Sequence, residues 1–497
     1  MRPSLITGAA PLRGSGLLHK PLAFAAVLVV AIGISLLVGY VDYRIGMIIA
    51  AGLIGGMVTL ICLFNTHLGF LITTVVGFFM FYIKRMSDDT LPMGVAVDVL
   101  TAVTFIGAYY KKTIHKQRIW QYMKNPVSYM YIMYLGFLLI ELFNPSMYSV
   151  SGWIFTVRKF VNFVMIYFIG LFTFNSVKDV KDYLKLWLFL SVLSGAYGCF
   201  QEWFGLLGFE EHWVVSDPVR YRLYFQGGEI RKFSFLSDPT AYGILMACSV
   251  VFAIVLAMTT QKPKQRNWLI VGIIIMCLGM AFSGTRTAYF MIPGGLAIYF
   301  LMTITNRRTL LFMAGFFMFI VVLMFGPFSG NNTVNRIRTS FHLKDDESMN
   351  VRDENRHHIQ PYILRHPIGG GVATSGVLGI QYNPGHPLAG FPPDSGYLRT
   401  ALETGWIGLI ITMTLFFVTL LVGVKGYYQA RTREVRALYV AIVTGLYAYI
   451  IAHYAQVAIG QIPGAFFFYS AMAIIVKMKD FETLSHKNSD QAKTIIT

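Results

Sequence analysis

Apolar runs of about twenty residues, separated by short polar stretches, recur along nearly the whole chain. A run of that length crosses a hydrocarbon core of roughly 30 Å as a helix and satisfies its own backbone hydrogen bonds on the way. The pattern predicts spans at 21–39, 45–64, 68–83, 91–110, 127–143, 160–175, 184–205, 236–258, 268–285, 287–305, 309–328, 396–424, 437–457 and 461–478, about fourteen in all. The expected fold is therefore an all-α polytopic membrane protein. The first run follows Arg2, Arg13 and Lys20, is too long for a signal-peptide core, and reads as a retained span.

The polar breaks sort by charge. KKTIHKQR at 111–118, Lys178/Lys181/Lys185, QKPKQR at 261–266, Arg307/Arg308 and KGYYQARTREVR at 425–436 fall in alternate loops, the bias expected of cytoplasmic loops. This sets both termini in the cytoplasm. Residues 1–328 then hold transmembrane helices 1–11, with outer loops near 144–159 and 206–235. A large periplasmic loop occupies 329–395, helices 12–14 occupy 396–478, and 479–497 form a cytoplasmic tail. Lys84/Arg85, beside Asp88 and Asp89, is the one strong signal that falls on the wrong side. The net charge of +17 reflects loop placement and not nucleic-acid binding, since only 13% of residues are charged and 55% are hydrophobic. The four cysteines lie inside apolar runs and read as small buried hydrophobes.

Basic residues on the outer side break the bias and so carry information: Arg158, Lys159, Arg220, Arg222, Arg231, Lys232, Arg286 and, in the large loop, Arg336, Arg338, Lys344, Arg352, Arg356 and Arg365. An anionic substrate would explain them, because the arginine fork binds phosphate oxygens bidentately and never loses its charge. Contact with lipid headgroups explains any one of them equally well. Arg286, in FSGTRTAYF, has no loop between the spans on either side. An ionisable group so placed is a functional candidate, with snorkelling to the interface as the alternative.

Among the acids, Asp98 is mid-span, and Glu141 and Glu202 lie near outer span ends. They suit proton relay or pairing with a neighbouring arginine. Asp238 precedes a proline where a helix N-cap is expected. Glu403 follows Arg399 by one helical turn, the spacing of an intrahelical ion pair. Walker, zinc-site and G-x-S-x-G patterns are missing from the sequence.

Four segments, in order, resemble one family. RHHIQPYILRHPIGGGVATSG resembles the arginine and "hPlxGxG" element of the O-antigen ligase and O-antigen polymerase superfamily, and PDSGYLRTALETGWIGL its "HNxYLxxLxExGxxGL" element. SGTRTAYF resembles the "SxSRxA" segment and FLSDPTAYG the "dPNxxA" segment. The resemblance implies a metal-independent glycosyltransferase without a cofactor, acting in the bacterial inner membrane with its site facing the periplasm. Its expected partners are an undecaprenyl-pyrophosphate-linked oligosaccharide, membrane lipids and a chain-length regulator. Arg286 and Arg365 match the family's arginines. Arg158, Arg220, Arg222, Arg356 and His386 are further candidates for binding pyrophosphate or glycan. Where ligases place the histidine of "HN", this chain has Asp394, followed by Ser395.

Chemistry points the same way. Pyrophosphate is a good leaving group, so transfer from it needs positive charge more than a general acid. The attacking sugar hydroxyl needs a base within hydrogen-bond reach. Asp394 is the candidate, with Glu211, Asp217 and His386 behind it, and helix capping accounts for Asp394 as well. The function expected is a polysaccharide polymerase. The alternatives are a ligase that moves finished polymer to lipid A core or another acceptor, and a non-enzymatic transporter or flippase of lipid-linked sugars.

Overall fold

The computed structural model describes the backbone of residues 43–114, 116, 119–226, 228–327, 338 and 347–496, and the side chains of these other than 43–51, 347–352 and 482–496. The expected span at 21–39 and much of the first half of the large loop, including Arg336 and Lys344, lie outside the described residues. The chain divides into two compact units, residues 1–61 and 62–497. The first contributes most of helix α1 (Tyr43–Phe64).

In the second unit, α2 (Thr66–Met86), α3 (Met93–Ile114), the short α4 (Trp120–Met123), α5 (Pro126–Ile140), α6 (Val150–Thr173) and α7 (Val177–Phe204) come first. Two short helices, α8 (Gly208–Val215) and α9 (Pro218–Tyr224), lead into an antiparallel pair of two-residue strands, β1 (Phe225–Gln226) and β2 (Glu229–Ile230). Then follow α10 (Pro239–Thr259), α11 (Pro263–Phe282), α12 (Arg286–Thr303), α13 (Arg307–Phe325), α14 (Glu347–Arg365), α15 (Gly376–Tyr382), α16 (Gly396–Gln429), α17 (Arg433–Ala455) and α18 (Gly464–Ile496).

Ten helices among the described residues are long and apolar enough to cross a membrane, against the fourteen expected. Helix α12 dilutes its apolar run with Arg286 and Pro293, and α18 turns polar at Lys477 and Lys479. The described apolar part of α1 is short.

Helix starts follow local chemistry. Asn125 caps α5 by accepting from the Ser128 N–H at 2.9 Å, and Asp238 caps α10 by accepting from the Ala241 N–H at 2.9 Å, each just before a proline at the first helical position. Ser176 and Asp179 form a reciprocal capping box on α7.

Helix α10 is the most enclosed span, with 83% of its apolar stretch buried, and it packs against α11, α12 and α17. In a membrane, helix association rests on close packing, which small residues permit. The ring of Tyr242 shows this: a Cβ on Gly198 of α7 would sit 1.9 Å from its hydroxyl, and one on Gly279 of α11 2.2 Å from it. At the other extreme is α13, with 6% of its apolar stretch buried.

The lysine-rich breaks share one end of the bundle. There Lys112 donates to Asn175 Oδ1 at 2.9 Å, Lys181 pairs with Glu434, and Lys477 pairs with Asp480 at 3.2 Å. Arg85, the residue that broke the charge pattern, lies at the opposite end as a buried fastener. Its guanidinium donates to the carbonyls of Ser234 and Leu236 and lies 3.8 Å from Glu210, tying α2 to the segments around α8 and α10. Lys84 pairs with Asp89 at 3.4 Å.

Candidate functional site

The family-like segments assemble in two packed pairs. In the first, the Thr285 hydroxyl donates to the Pro239 carbonyl at 2.9 Å, joining the SGTR turn before α12 to the start of α10. Gly243 permits the contact, since a Cβ there would meet Ser283 Oγ at 2.5 Å. Arg231 reaches the same turn, its Nε donating to the Ser283 carbonyl at 2.8 Å and its Nη2 to Thr285 Oγ1 at 3.0 Å. Lys232 donates its N–H to the Phe282 carbonyl at 3.2 Å and pairs with Glu202 at 3.3 Å. Arg286 is exposed and is the first residue of α12. Three cationic residues therefore gather where the positive end of a helix dipole already lies.

The second pair joins HPIGGG to the start of α16. The Gly370 N–H donates to the Leu402 carbonyl at 2.9 Å, and the Ile407 N–H to the Pro367 carbonyl at 3.3 Å. The span expected at 396–424 is kinked here: Gly405 takes φ 66°, ψ −174°. A Cβ on Gly405 would lie 2.0 Å from the Pro367 carbonyl oxygen, and one on Gly369, at φ +75°, 2.5 Å from the Gly405 nitrogen. Only glycine serves at both positions.

Glu403 pins the loop down. Its buried carboxylate accepts from Arg399 Nε at 3.0 Å, from the Ser375 hydroxyl, and from the Ala373 N–H at 3.3 Å. The ion pair read from the spacing is thus present and holds the glycine loop against the helix. Asn144 holds the loop from α5's side, donating to Glu141 Oε2 at 2.8 Å and to the Ile368 carbonyl at 3.1 Å.

His386 serves the same scaffold. It is buried, its ring stands edge-on to Tyr148 at 5.1 Å, and its Nδ1 accepts from the Leu388 N–H at 3.1 Å. Burial pushes its pKa below the usual value, against a backbone hydrogen bond at Ser146 and with help from His366. A neutral ring with Nδ1 as acceptor matches that direction.

Below the kink lies a cavity of about 220 Å³ lined by Lys159, Arg399, Glu403, His453 and Gln461 among aromatic side chains. Gln461 also lines a smaller gap beside Leu236 and Ala241, so the 456–463 segment lies between the two motif pairs. Ser395, rather than Asp394, caps α16, accepting from the Leu398 N–H at 3.4 Å while its hydroxyl donates to the His453 carbonyl at 3.3 Å. Asp394 is half-buried one residue outside that cap.

The other expected residues are distributed as follows. Arg158 pairs with Asp98 at 2.9 Å, and Asn162 bonds the same aspartate, so that mid-span acid is a pairing partner. Arg356 donates to the Tyr454 hydroxyl at 3.1 Å and covers its ring at 4.8 Å, next to His453. Arg365 is exposed at the end of α14. Arg220 lies apart, stacked 3.7 Å from the Trp213 ring and paired with Asp89 at 3.3 Å; Arg222 is exposed on the same short helix. Lys159, singled out from the sequence only as one of the outer-side bases, lines this cavity, and His453 was not expected in the site. The available signal for His453 was an ionisable side chain in an apolar run.

Among the described residues no three His, Cys, Asp or Glu side chains gather to hold a metal ion. Residues 271–413 match the family model described as Wzy_C, O-Antigen ligase. No curated protein matches the chain. The matched stretch holds the SGTR turn, the glycine loop and the first turns of α16, three of the four packed segments. This match over residues 271–413, within a bundle of apolar helices, supports the O-antigen ligase and polymerase superfamily and, with it, glycan transfer in O-antigen assembly.

Proposed function

We propose that the protein is a polysaccharide polymerase, moving a growing glycan from undecaprenyl pyrophosphate onto a lipid-linked repeat unit at the periplasmic side of the inner membrane. The observation that carries the proposal is the gathering of Arg231, Lys232 and Arg286 at the amino end of α12, beside the matched stretch. The bond from the anomeric carbon to the pyrophosphate oxygen breaks, and both bonding electrons leave with the pyrophosphate. Positive charge held in place before the reaction stabilises that oxygen as its charge grows. The acceptor hydroxyl forms the new glycosidic bond and gives its proton to Asp394, which is half-buried beside the α16 cap. Arg356 and Arg365 bind donor glycan or phosphate from α14, and Arg158 lies close to the Lys159 wall of the cavity. Because Arg220 and His386 are engaged by Trp213, Asp89 and Leu388, they support the fold in this reading rather than touch substrate.

Purified protein with undecaprenyl-pyrophosphate-linked repeat units tests the proposal, and longer glycans in detergent are the expected product. Loss of chain growth in Arg286→Ala and Asp394→Ala, with folded protein retained, supports the two roles; full activity in either removes that role. A ligase reading is favoured by the description of the matched family. In a deletion strain, single repeat units on the final acceptor indicate a polymerase, and full-length polymer stranded on the carrier indicates a ligase. A transporter makes no longer glycan in the purified assay.

A further inference from the structure

At the end of the bundle opposite the candidate site, α7, α10, α11 and α17 enclose a groove of about 860 Å³, within the range of roughly 300–1,000 Å³ usual for small-molecule sites. Its lining changes chemistry along its length. The mouth carries Lys181, Lys185, Lys262 and Arg433. Two carboxylates stand there: Glu434, paired with Lys181, and Asp182, paired with Lys185 at 3.3 Å. Four cations against two acids leave the mouth positive. The interior is apolar, with Val192, Ala253, Gly272 and Ile275 among its walls. From Lys181 to Val192, α7 advances about 17 Å at 1.5 Å per residue, close to half of a hydrocarbon core of roughly 30 Å. Trp268, 70% exposed, stands on the rim, where an indole marks a membrane interface.

We propose that this groove holds an anionic phospholipid, with its phosphate among the four basic side chains and its acyl chains against the apolar walls. Charge complementarity selects the headgroup. A zwitterionic lipid brings its own cation into a mouth that is already positive, and a soluble anion leaves the apolar trough unfilled. The pairs Lys181–Glu434 and Lys185–Asp182 hold the ammonium groups at the mouth without cancelling them.

The test is native mass spectrometry of the full-length protein in detergent, titrated separately with phosphatidylglycerol and phosphatidylcholine. Wild type retains phosphatidylglycerol selectively, and Lys181→Gln/Lys262→Gln weakens that retention on the order of fivefold per lysine removed. Because Lys262 is exposed and Lys181 is only partly buried, the double variant folds, and an unchanged melting temperature in lipid-free detergent checks this. Equal retention of the two lipids overturns the proposal, as does equal phosphatidylglycerol binding by wild type and variant. So does a co-purifying protein, or detergent alone, in the groove.

Discussion

Replacing Glu403 with alanine tests the central joint of the candidate site. Three donors converge on its carboxylate: Arg399 Nε at 3.0 Å, the Ser375 hydroxyl and the Ala373 N–H at 3.3 Å. Breaking a fully buried ion pair costs about 3–5 kcal/mol, and a hydrogen bond to a charged group about 1.5–3 kcal/mol. The Glu403 side chain is 7% exposed and that of Arg399 is 28% exposed, so the arginine regains some hydration and the lower end applies. Glu403→Ala is expected to cost about 3 kcal/mol. Glu403→Gln keeps one acceptor oxygen for Ser375 or Ala373 and should cost about 1 kcal/mol. Melting in detergent, followed by fluorescence-detected size exclusion, ranks the two. Limited proteolysis between Asn383 and Pro393 should accelerate in the alanine variant, because the loop loses its anchor. A cycle with Arg399→Ala should be non-additive by about 1 kcal/mol. Wild-type melting and proteolysis in Glu403→Ala, or strict additivity with Arg399→Ala, would refute the joint.

Three further outcomes follow from local geometry. Gly405→Ala should destabilise by about 2–3 kcal/mol, since the residue is left-handed and its Cβ meets the Pro367 carbonyl; Gly315→Ala on α13, where a Cβ meets nothing within 4 Å, should be neutral or stabilising in the same melting assay. Arg85→Met should remove most folded, monodisperse protein, with a cost on the order of 3–5 kcal/mol, because Glu210 is left buried without its cation; Glu210→Gln, which keeps partners for Gln201, should be milder by the same size-exclusion readout. The pH dependence of melting should carry a His386 component. Its folded pKa is depressed by burial, so below about pH 6.5 the unfolded chain binds a proton that the folded chain refuses. Stability therefore falls as pH drops from about 6.5 towards the folded pKa, and His386→Gln should flatten that slope.

The sequence exposed the span pattern and the four packed segments because both are local: hydropathy reports each helix by itself, and the motifs are short. It marked Arg85 as an anomaly but hid its role, since a basic residue at a span end looks the same whether it faces solvent or two backbone carbonyls from Ser234 and Leu236. Arg399 and Glu403 were legible as a pair through their spacing, but the loop they hold, thirty residues upstream at Ala373, was not. Asp98 was visible as an anomaly, while its partners Arg158 and Asn162 sit on a different helix. The kink at Gly405 was hidden because one glycine in an apolar run carries no hint of its dihedral angles. His386 drew notice as a chemical residue, while its contacts with Tyr148 and the Leu388 N–H, made through the fold, were not legible.

Helix α13 contributes almost nothing to the packed interior, touching the bundle mainly through Phe312, Met313 and Phe316. Its information content is then low at most positions: many apolar sequences of equal length would do the same job. Its mean hydropathy of 2.2 suffices for membrane insertion without help from neighbours. During synthesis it acts as a return stroke, bringing the chain back to the side where α14 and the glycine loop must emerge. A polyleucine stretch in place of residues 317–325 should leave the finished fold intact, whereas deleting the helix would deliver every later residue to the wrong side of the bilayer.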